Sequence, residues 1–371
     1  MDPTTTDLRV HAEVIVHRLY DVGYAIDLER AFDRLAPSAP ERPRPARGEA
    51  QAIRIANPPV NVGLGQRTLR VGEHDCRAEL SARVFDFGVV SLRARVAFPD
   101  ALPWNAFVTL GGQSASAPEW RTIFPEMRAD LLQRIADAIE KPGEAPVSED
   151  YIVFRVHRLE DANGHRRGTA DLADEDLARL LLDESRPLSA AARRDLLSQR
   201  FTYFEDDLAV LTWNAALVVE PVVEDVDVQY VLEFANAQLL ELRYYDARLD
   251  VELPRIYDRI EAARFGFHLL GRRYSRLLGA LQTRVAEVTE VVERTENALK
   301  VTDDVFLARI YAAALEIFRG RAWRAGIDGK LAIVRDAYSM LNAESQARRS
   351  EVLELIIVAL ILIEIVLAFW K

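Results

Sequence analysis

AELSARVFDFGVVSLRARVAF, Ala78 to Phe98, is the stretch that decides the fold. Its β-branched and aromatic residues alternate on both sides of Asp86 to Gly88, the pattern of two strands joined by a tight turn. Upstream, Leu8, Val10, Ala12, Val14 and Val16 alternate with polar residues as one face of a half-buried strand. Asp27 then stands where an N-cap would open the short helix DLERAFDRL. Asn57-Pro58-Pro59 and Gly63 to Gly65 read as turns. Downstream, Glu119 to Glu140 reads as an amphipathic helix ended by Lys141-Pro142-Gly143. Tyr151 to Arg167 reads as a hairpin turning at Asn163-Gly164. Helices Glu175 to Asp183 and Ala190 to Gln199, a strand Asp207 to Val219 and a helix Asp227 to Leu249 complete this half. Strands and helices mixed without a βαβ period indicate an α+β domain.

After Pro254 the pattern becomes uniform. Apolar positions fall 4-3-4-3 from Ile256 through Leu281 to Ala298, and again from Phe306 through Leu331 to Leu355. Two such seams, separated by Thr302-Asp303-Asp304, predict a long antiparallel helical hairpin, a coiled coil, with Thr302 as the N-cap of its second helix. That helix, Asp303 to Ser350, would be about 70 Å long, and Gly320, Gly326 and Gly329 are where it would kink.

The chain then reads VLELIIVALILIEIVLAFW, Val352 to Trp370, apolar except for Glu354 and Glu364. A helix of this length spans about 28 Å, close to the thickness of a bilayer's hydrocarbon. It is expected to be a single membrane anchor, formed by Leu355, Ile356, Ile357, Leu360, Ile361, Leu362, Glu364, Ile365, Phe369 and Trp370. Arg348 and Arg349 before it place the body in the cytoplasm, on the inner membrane's inner side. Met1 to Val10 has no secretory-signal pattern. The segments are thus 1–37, the first strand and helix; 38–50, a Pro/Arg-rich loop; 51–222, the remainder of the α+β domain; 223–350, the long-helix region; and 352–370, the anchor.

Composition narrows the function. Of 371 residues half are hydrophobic and 28% charged, with 17 Gly and 16 Pro, which excludes collagen-like and fully disordered chains. A net charge of −11 argues against a general nucleic-acid binder, since phosphate neutralisation needs a basic face. Arg42, Arg44, Arg47 and Arg54 are the local candidates for RNA contact. The single Cys76 excludes an internal disulfide framework. Arginine almost replaces lysine, read here as the mark of a GC-rich bacterial genome. The sequence has no phosphate-binding loop, dinucleotide fingerprint, nucleophile elbow or zincin pair. Glu73-His74-Asp75-Cys76 is read as a surface loop, and no metal, cofactor or catalytic residue is assigned. Trp213 and Asn214 in one strand and Tyr244 and Tyr245 in the next helix could line a recognition groove; core packing is the simpler reading.

Several segments taken in order resemble the required-for-meiotic-nuclear-division family, domain of unknown function family 155. They are LYDVGYAIDLERAFDRL (Leu19 to Leu35), VFDFGVVSL (Val84 to Leu92), the strand DDLAVLTWNAALVV with the helix ANAQLLELRYYDARL, and the closing RRSEVLELIIVALILIEIVLAFW. Leu353, Glu354, Ile363, Glu364 and Ile365 occupy matching positions in the last. The family's strand-end tryptophan and its helix lysine are missing, the mark of a divergent branch. The resemblance implies a membrane-anchored protein linked to translation, with no established catalytic activity. The expected function is a cytoplasm-facing scaffold that self-associates through its long helices on a lipid bilayer. The alternative is an enzyme or ligand-binding protein with a pocket in the α+β domain.

Overall fold

The computed structural model describes residues 8–41, 53–55, 57–98, 101–143, 147–182, 186–221, 227–265, 271–301 and 304–370. Residues 42–50 of the Pro/Arg-rich segment, with Arg42, Arg44 and Arg47, and the Thr302-Asp303 cap lie outside them. The chain divides into two compact units, residues 1–244 with 294–321 and residues 245–293 with 322–371.

The described elements, in chain order, begin with β1 (Arg9–Asp21), β2 (Gly23–Ile26), α1 (Leu28–Leu35), β3 (Ile53–Ile55), β4 (Val60–Val71), β5 (His74–Val84), β6 (Val89–Ala97) and β7 (Leu102–Pro103). Helices α2 (Trp104–Ala115) and α3 (Trp120–Arg134), strands β8 (Ile139–Pro142) and β9 (Ser148–Glu160), and helices α4 (Asp174–Leu182) and α5 (Ala190–Leu196) follow. Then come β10 (Arg200–Phe201), β11 (Leu208–Leu211), β12 (Ala215–Val219), α6 (Asp227–Phe265), α7 (Gly271–Ala298), β13 (Leu299–Val301), α8 (Val305–Ile317) and α9 (Gly320–Phe369).

The first unit is α+β and is built on one large sheet, ordered β10-β11-β12-β9-β1-β6-β5-β4, with β7 pairing the start of β1. Only β12 against β9 is parallel among these pairs. Register follows the apolar alternation. Val14 faces Val96 across β1 and β6, and Val96 faces Ala78 across β6 and β5, so one side of the sheet is continuously apolar. Trp104 and Phe107 of α2, Phe124 and Leu131 of α3 and Leu177 and Leu181 of α4 close over that side to form the main core. Asp27 caps α1 as expected, its carboxylate accepting from the backbone N–H of Glu29 at 3.1 Å and of Arg30 at 3.0 Å.

The other side of the sheet is covered only in part. Leu19, Phe85, Phe87 and Val89 meet Phe234, Ala237 and Leu240 of α6 in a second, smaller cluster. The Phe234 ring stands edge-on to Phe85 and Phe87, each centroid 5.8 Å away. The turn between β5 and β6 needs its glycine, because Gly88 has φ +93° and a Cβ there would lie 1.9 Å from the Gly23 carbonyl oxygen.

Several elements differ from the sequence expectations, each for a local reason. Gly63 to Gly65 is a bulge inside β4 rather than a turn: the register shifts there and Gly65 has φ +90°. Asp207 to Val219 is two strands. Thr212 folds back, its Oγ1 donating to the Ala215 carbonyl at 2.8 Å, and makes β11 and β12 a hairpin. The turn at Asn163-Gly164 forms, but beyond it only a single bridge, Glu160 to Arg166, pairs with β9. Helix α3 stops at Arg134, and Ile139–Pro142 pairs with β2 as a strand. The sequence reading contained no α2, whose Gly111-Gly112 weakens its helical signal. Packing overrides propensity there, since a Cβ on Gly111 would already touch Phe154 and Leu180.

The expected two-helix coiled coil is corrected as well. Helix α6 runs through Pro254, and the first seam is shared between α6 and α7. The second seam breaks at Arg319, whose φ of +53° ends α8 after Ile317, and α9 then continues through Gly326 and Gly329 without interruption. Asp304, not Thr302, caps α8, accepting from the N–H of Phe306 at 2.8 Å and of Leu307 at 3.0 Å. The second unit consists of segments of α6, α7 and α9 around Ile256, Leu281, Val334 and Ala337. Among the described residues no helix is long and apolar enough to cross a membrane, so the structure does not support the expected spanning anchor.

Candidate functional site

On the less covered side of the sheet the alternate residues of the central strands are polar, and register stacks them in rows. His17, Arg93, Ser81 and Gly63 stand side by side across β1, β6, β5 and β4. One row along stand Leu19, Ser91, Arg83 and Asn61, and on the other flank Ile15, Arg95, Glu79 and Gln66. Helix α6 lays Gln229, Tyr230 and Glu233 over this stripe, Glu233 lying one turn beyond both, at i+4 and i+3. Sheet and helix line a half-open cleft of about 830 Å³, wholly within the first unit. That volume suits a small-molecule site.

The inner end of the cleft is a buried charge cluster. Glu233 is 3% exposed and forms an ion pair with Arg83; Arg93 Nη1 lies 3.8 Å from the same carboxylate. Arg83 is positioned further by donating its Nε–H to Asn61 Oδ1 at 2.8 Å and by stacking over the Tyr230 ring, 4.4 Å from the centroid. Burial works against ionising Glu233, yet the two guanidinium groups prevail and hold its carboxyl down to about 2. His17, with Nδ1 3.9 Å from Glu233, goes the other way. Its burial outweighs the attraction of Glu233 and, with Arg93 and Arg83 beside it, brings the imidazole down to about 4, so it is neutral at pH 7. Burial pushes the Tyr230 phenol up, which keeps its O–H available as a donor. Neither ring nitrogen of His17 has a hydrogen-bond partner, and neither do Arg93 Nε, Gln229 Nε2 or the Tyr230 hydroxyl.

At the outer end the charges pair with one another. Arg95 bridges Glu13 and Glu79, donating at 3.1 Å to each. Arg155 reaches Glu13 at 3.4 Å and Glu220 at 3.5 Å, and His157 Nε2 lies 3.6 Å from Glu13. Burial opposes the charge on Glu13, but the nearby His157 and the Arg95 and Arg155 charges carry its carboxyl below the ordinary value. Among the described residues no group of three His, Cys, Asp or Glu side chains is arranged to hold a metal ion.

The groove residues chosen from sequence have separate neighbours. Trp213 and Asn214 sit in the β11–β12 turn, both exposed. The Trp213 ring stands edge-on to Phe318 at 6.1 Å, and the Asn214 carbonyl accepts from the Ile152 N–H at 3.0 Å. Tyr244 brings its hydroxyl near Gly143, and Tyr245 is buried in the second unit. None of the four lines the cleft. The residues that do line it were visible in AELSARVFDFGVVSLRARVAF as Ser81, Arg83, Arg93 and Arg95 at alternate positions. Alone, that pattern reads as an ordinary solvated face.

An α+β sheet domain with a half-open polar cleft under one helix is the class this geometry defines. The chain belongs to the family described as uncharacterized protein MJ0711, N-terminal domain, which matches residues 11–225. Every strand residue lining the cleft lies within that range, and the α6 residues follow it. Uncharacterized protein MJ0711 of Methanocaldococcus jannaschii is 24% identical over 249 residues, covering 66% of this chain and 74% of its own. No solved structure matches.

Proposed function

We propose that the sheet unit is a binding module that takes a small polar ligand in the cleft between the β1-β6-β5-β4 stripe and α6. The observation that supports this is the set of unpartnered polar atoms on His17, Arg93, Gln229 and Tyr230 around one cavity. A buried polar atom left unpaired costs about 1–3 kcal/mol, and folded proteins carry few of them unless a ligand or water answers them. Thermal-shift screening of a mixed set of charged and neutral small molecules tests the reading. A ligand should raise the Tm of the parent and not that of His17→Leu. A broad set that stabilises neither overturns it.

A second reading, a membrane-held scaffold that self-associates and keeps its body in the cytoplasm, has its own support. Ile356, Ile357, Leu360, Ile361, Leu362, Glu364 and Ile365 all stand exposed, as does every residue from Ile356 to Leu367. Apolar side chains on all faces of a helix are stable only under a cover. Trp370 is 91% exposed, suited to a lipid interface. The side chains of Leu355 and Phe369 lie outside the described set. Kinship with the meiotic-division family, a bacterial source and a link to membrane-associated translation belong to this reading, supported by the shared segment order and the arginine bias. Flotation with phosphatidylglycerol vesicles tests it: the full chain should float and a chain ending at Ser350 should not. Equal behaviour of the two removes the lipid contact.

A further inference from the structure

We propose that the inner end of the cleft binds the phosphate group of a small phosphate monoester, with Arg93, Arg83, Tyr230, Gln229 and His17 as its donors. This rests on the ligand-binding reading and names its ligand class. Charge is the first argument. Arg83 and Arg93 share the single carboxylate of Glu233, and the neighbouring His17 is neutral, so the cluster keeps about one unbalanced positive charge in a desolvated place. The other carboxylates lining the cleft, Glu13 and Glu79, are held by Arg95. An anion would complete the cluster.

Donor geometry is the second argument. His17 and Arg93 line the cleft from the sheet and Gln229 and Tyr230 from α6, and the His17 ring nitrogens, Arg93 Nε, Gln229 Nε2 and the Tyr230 hydroxyl are buried without a hydrogen bond. Donors on two opposed walls suit a tetrahedral group, whose oxygens point both ways; a planar carboxylate would serve one wall at a time. Arginine is also the side chain best matched to phosphate oxygens.

Space is the third. The β4 bulge places Gly63 and Gly65 on the cleft wall, and a Cβ at either would meet nothing within 4 Å. Bulges are enriched beside sites and glycines where a ligand approaches backbone. About 830 Å³ leaves room for an organic body beyond the phosphate, lying toward the mutually satisfied Arg95, Glu13 and Glu79.

Isothermal titration of the full chain at pH 7 with inorganic phosphate, glucose 6-phosphate and citrate tests the assignment. Sedimentation with phosphatidate or phosphatidylcholine vesicles forms a second arm. Glucose 6-phosphate should bind saturably at one site, weakened about tenfold or more by Arg93→Gln, the loss expected when a charge-assisted hydrogen bond is removed. Tyr230→Phe keeps the ring beneath Arg83 and loses only the hydroxyl, so it should weaken binding several-fold in a protein with unchanged circular dichroism. Arg34→Gln, remote from the cleft, should bind as the parent does. Phosphatidate binding with the same sensitivities supports the phosphate assignment and places the group on a lipid headgroup. Citrate binding without any phosphate binding overturns the ligand class and leaves the binding reading standing. No phosphate binding, or binding that neither Arg93→Gln nor Tyr230→Phe weakens, overturns the proposal.

Discussion

Arg83 of β5 and Glu233 of α6 form a buried ion pair although 150 positions separate them in the chain. The pair fastens the helix over the polar side of the sheet and roofs the cleft. Removing one member of a buried pair strands the other, at a cost of about 3–5 kcal/mol. Glu233→Gln should therefore lower the urea midpoint sharply, and a loss under about 1 kcal/mol would deny the pair this role.

Acid should act through the same carboxylate. Its folded value, about 2, lies below the ordinary 4.5, so the unfolded chain takes up the proton first as pH falls. The stabilisation is complete above pH 4.5 and is lost on descending to about 2. Chemical denaturation across that window should show Glu233→Gln lacking about 3 kcal/mol of the parent's decline.

His17 should lose its contribution at higher pH. Its folded value of about 4 is below the ordinary 6.5, so the unfolded state again binds the extra proton, and stability declines as pH falls from 6.5 to 4. His17→Leu should flatten that decline by about 3 kcal/mol. Parallel curves for parent and variant would contradict a buried neutral imidazole.

Glu241 is the opposite case. It is 1% exposed, and burial together with the nearby Asp21 charge raises its carboxyl well above the ordinary value despite Arg294. The folded state holds the proton that the unfolded chain has released above pH 4.5, so this group works against the fold as pH rises. Glu241→Gln should raise the Tm at pH 8 and change it little at pH 4; a lower Tm at pH 8 would refute this.

Gly88→Ala tests the turn. A left-handed φ and a Cβ 1.9 Å from the Gly23 carbonyl leave no place for a side chain. The loss should exceed about 3 kcal/mol, from backbone strain and the steric clash together, read from the urea midpoint.

In the second unit Leu281 is 3% exposed beside Val334 and Ala337. Leu281→Asp should cost about 3–5 kcal/mol, as burying an unpaired charge in an apolar cluster does. Limited proteolysis should then cut within 245–293 while residues 8–221 stay protected. An unchanged digestion pattern would remove Leu281 from that core.

What the sequence by itself determined were features written in neighbouring residues. The period of two in Leu8–Val16 and Ala78–Phe98 placed the apolar side of β1, β5 and β6, and Asp27 marked the start of α1, because strand faces and helix caps are settled within a few positions. Only the tertiary structure decided the rest. Alternation says that His17, Arg83 and Arg93 lie on polar faces, but not that register sets His17 beside Arg93 or that Glu233 descends on both from a distant helix. Helix α2 with its paired glycines, the passage of α6 through Pro254 and the left-handed Arg319 all run against local propensity or are silent in it. Packing against a partner far along the chain is worth several times the fraction of a kcal/mol by which most residues prefer one local structure, so long-range contact settles them.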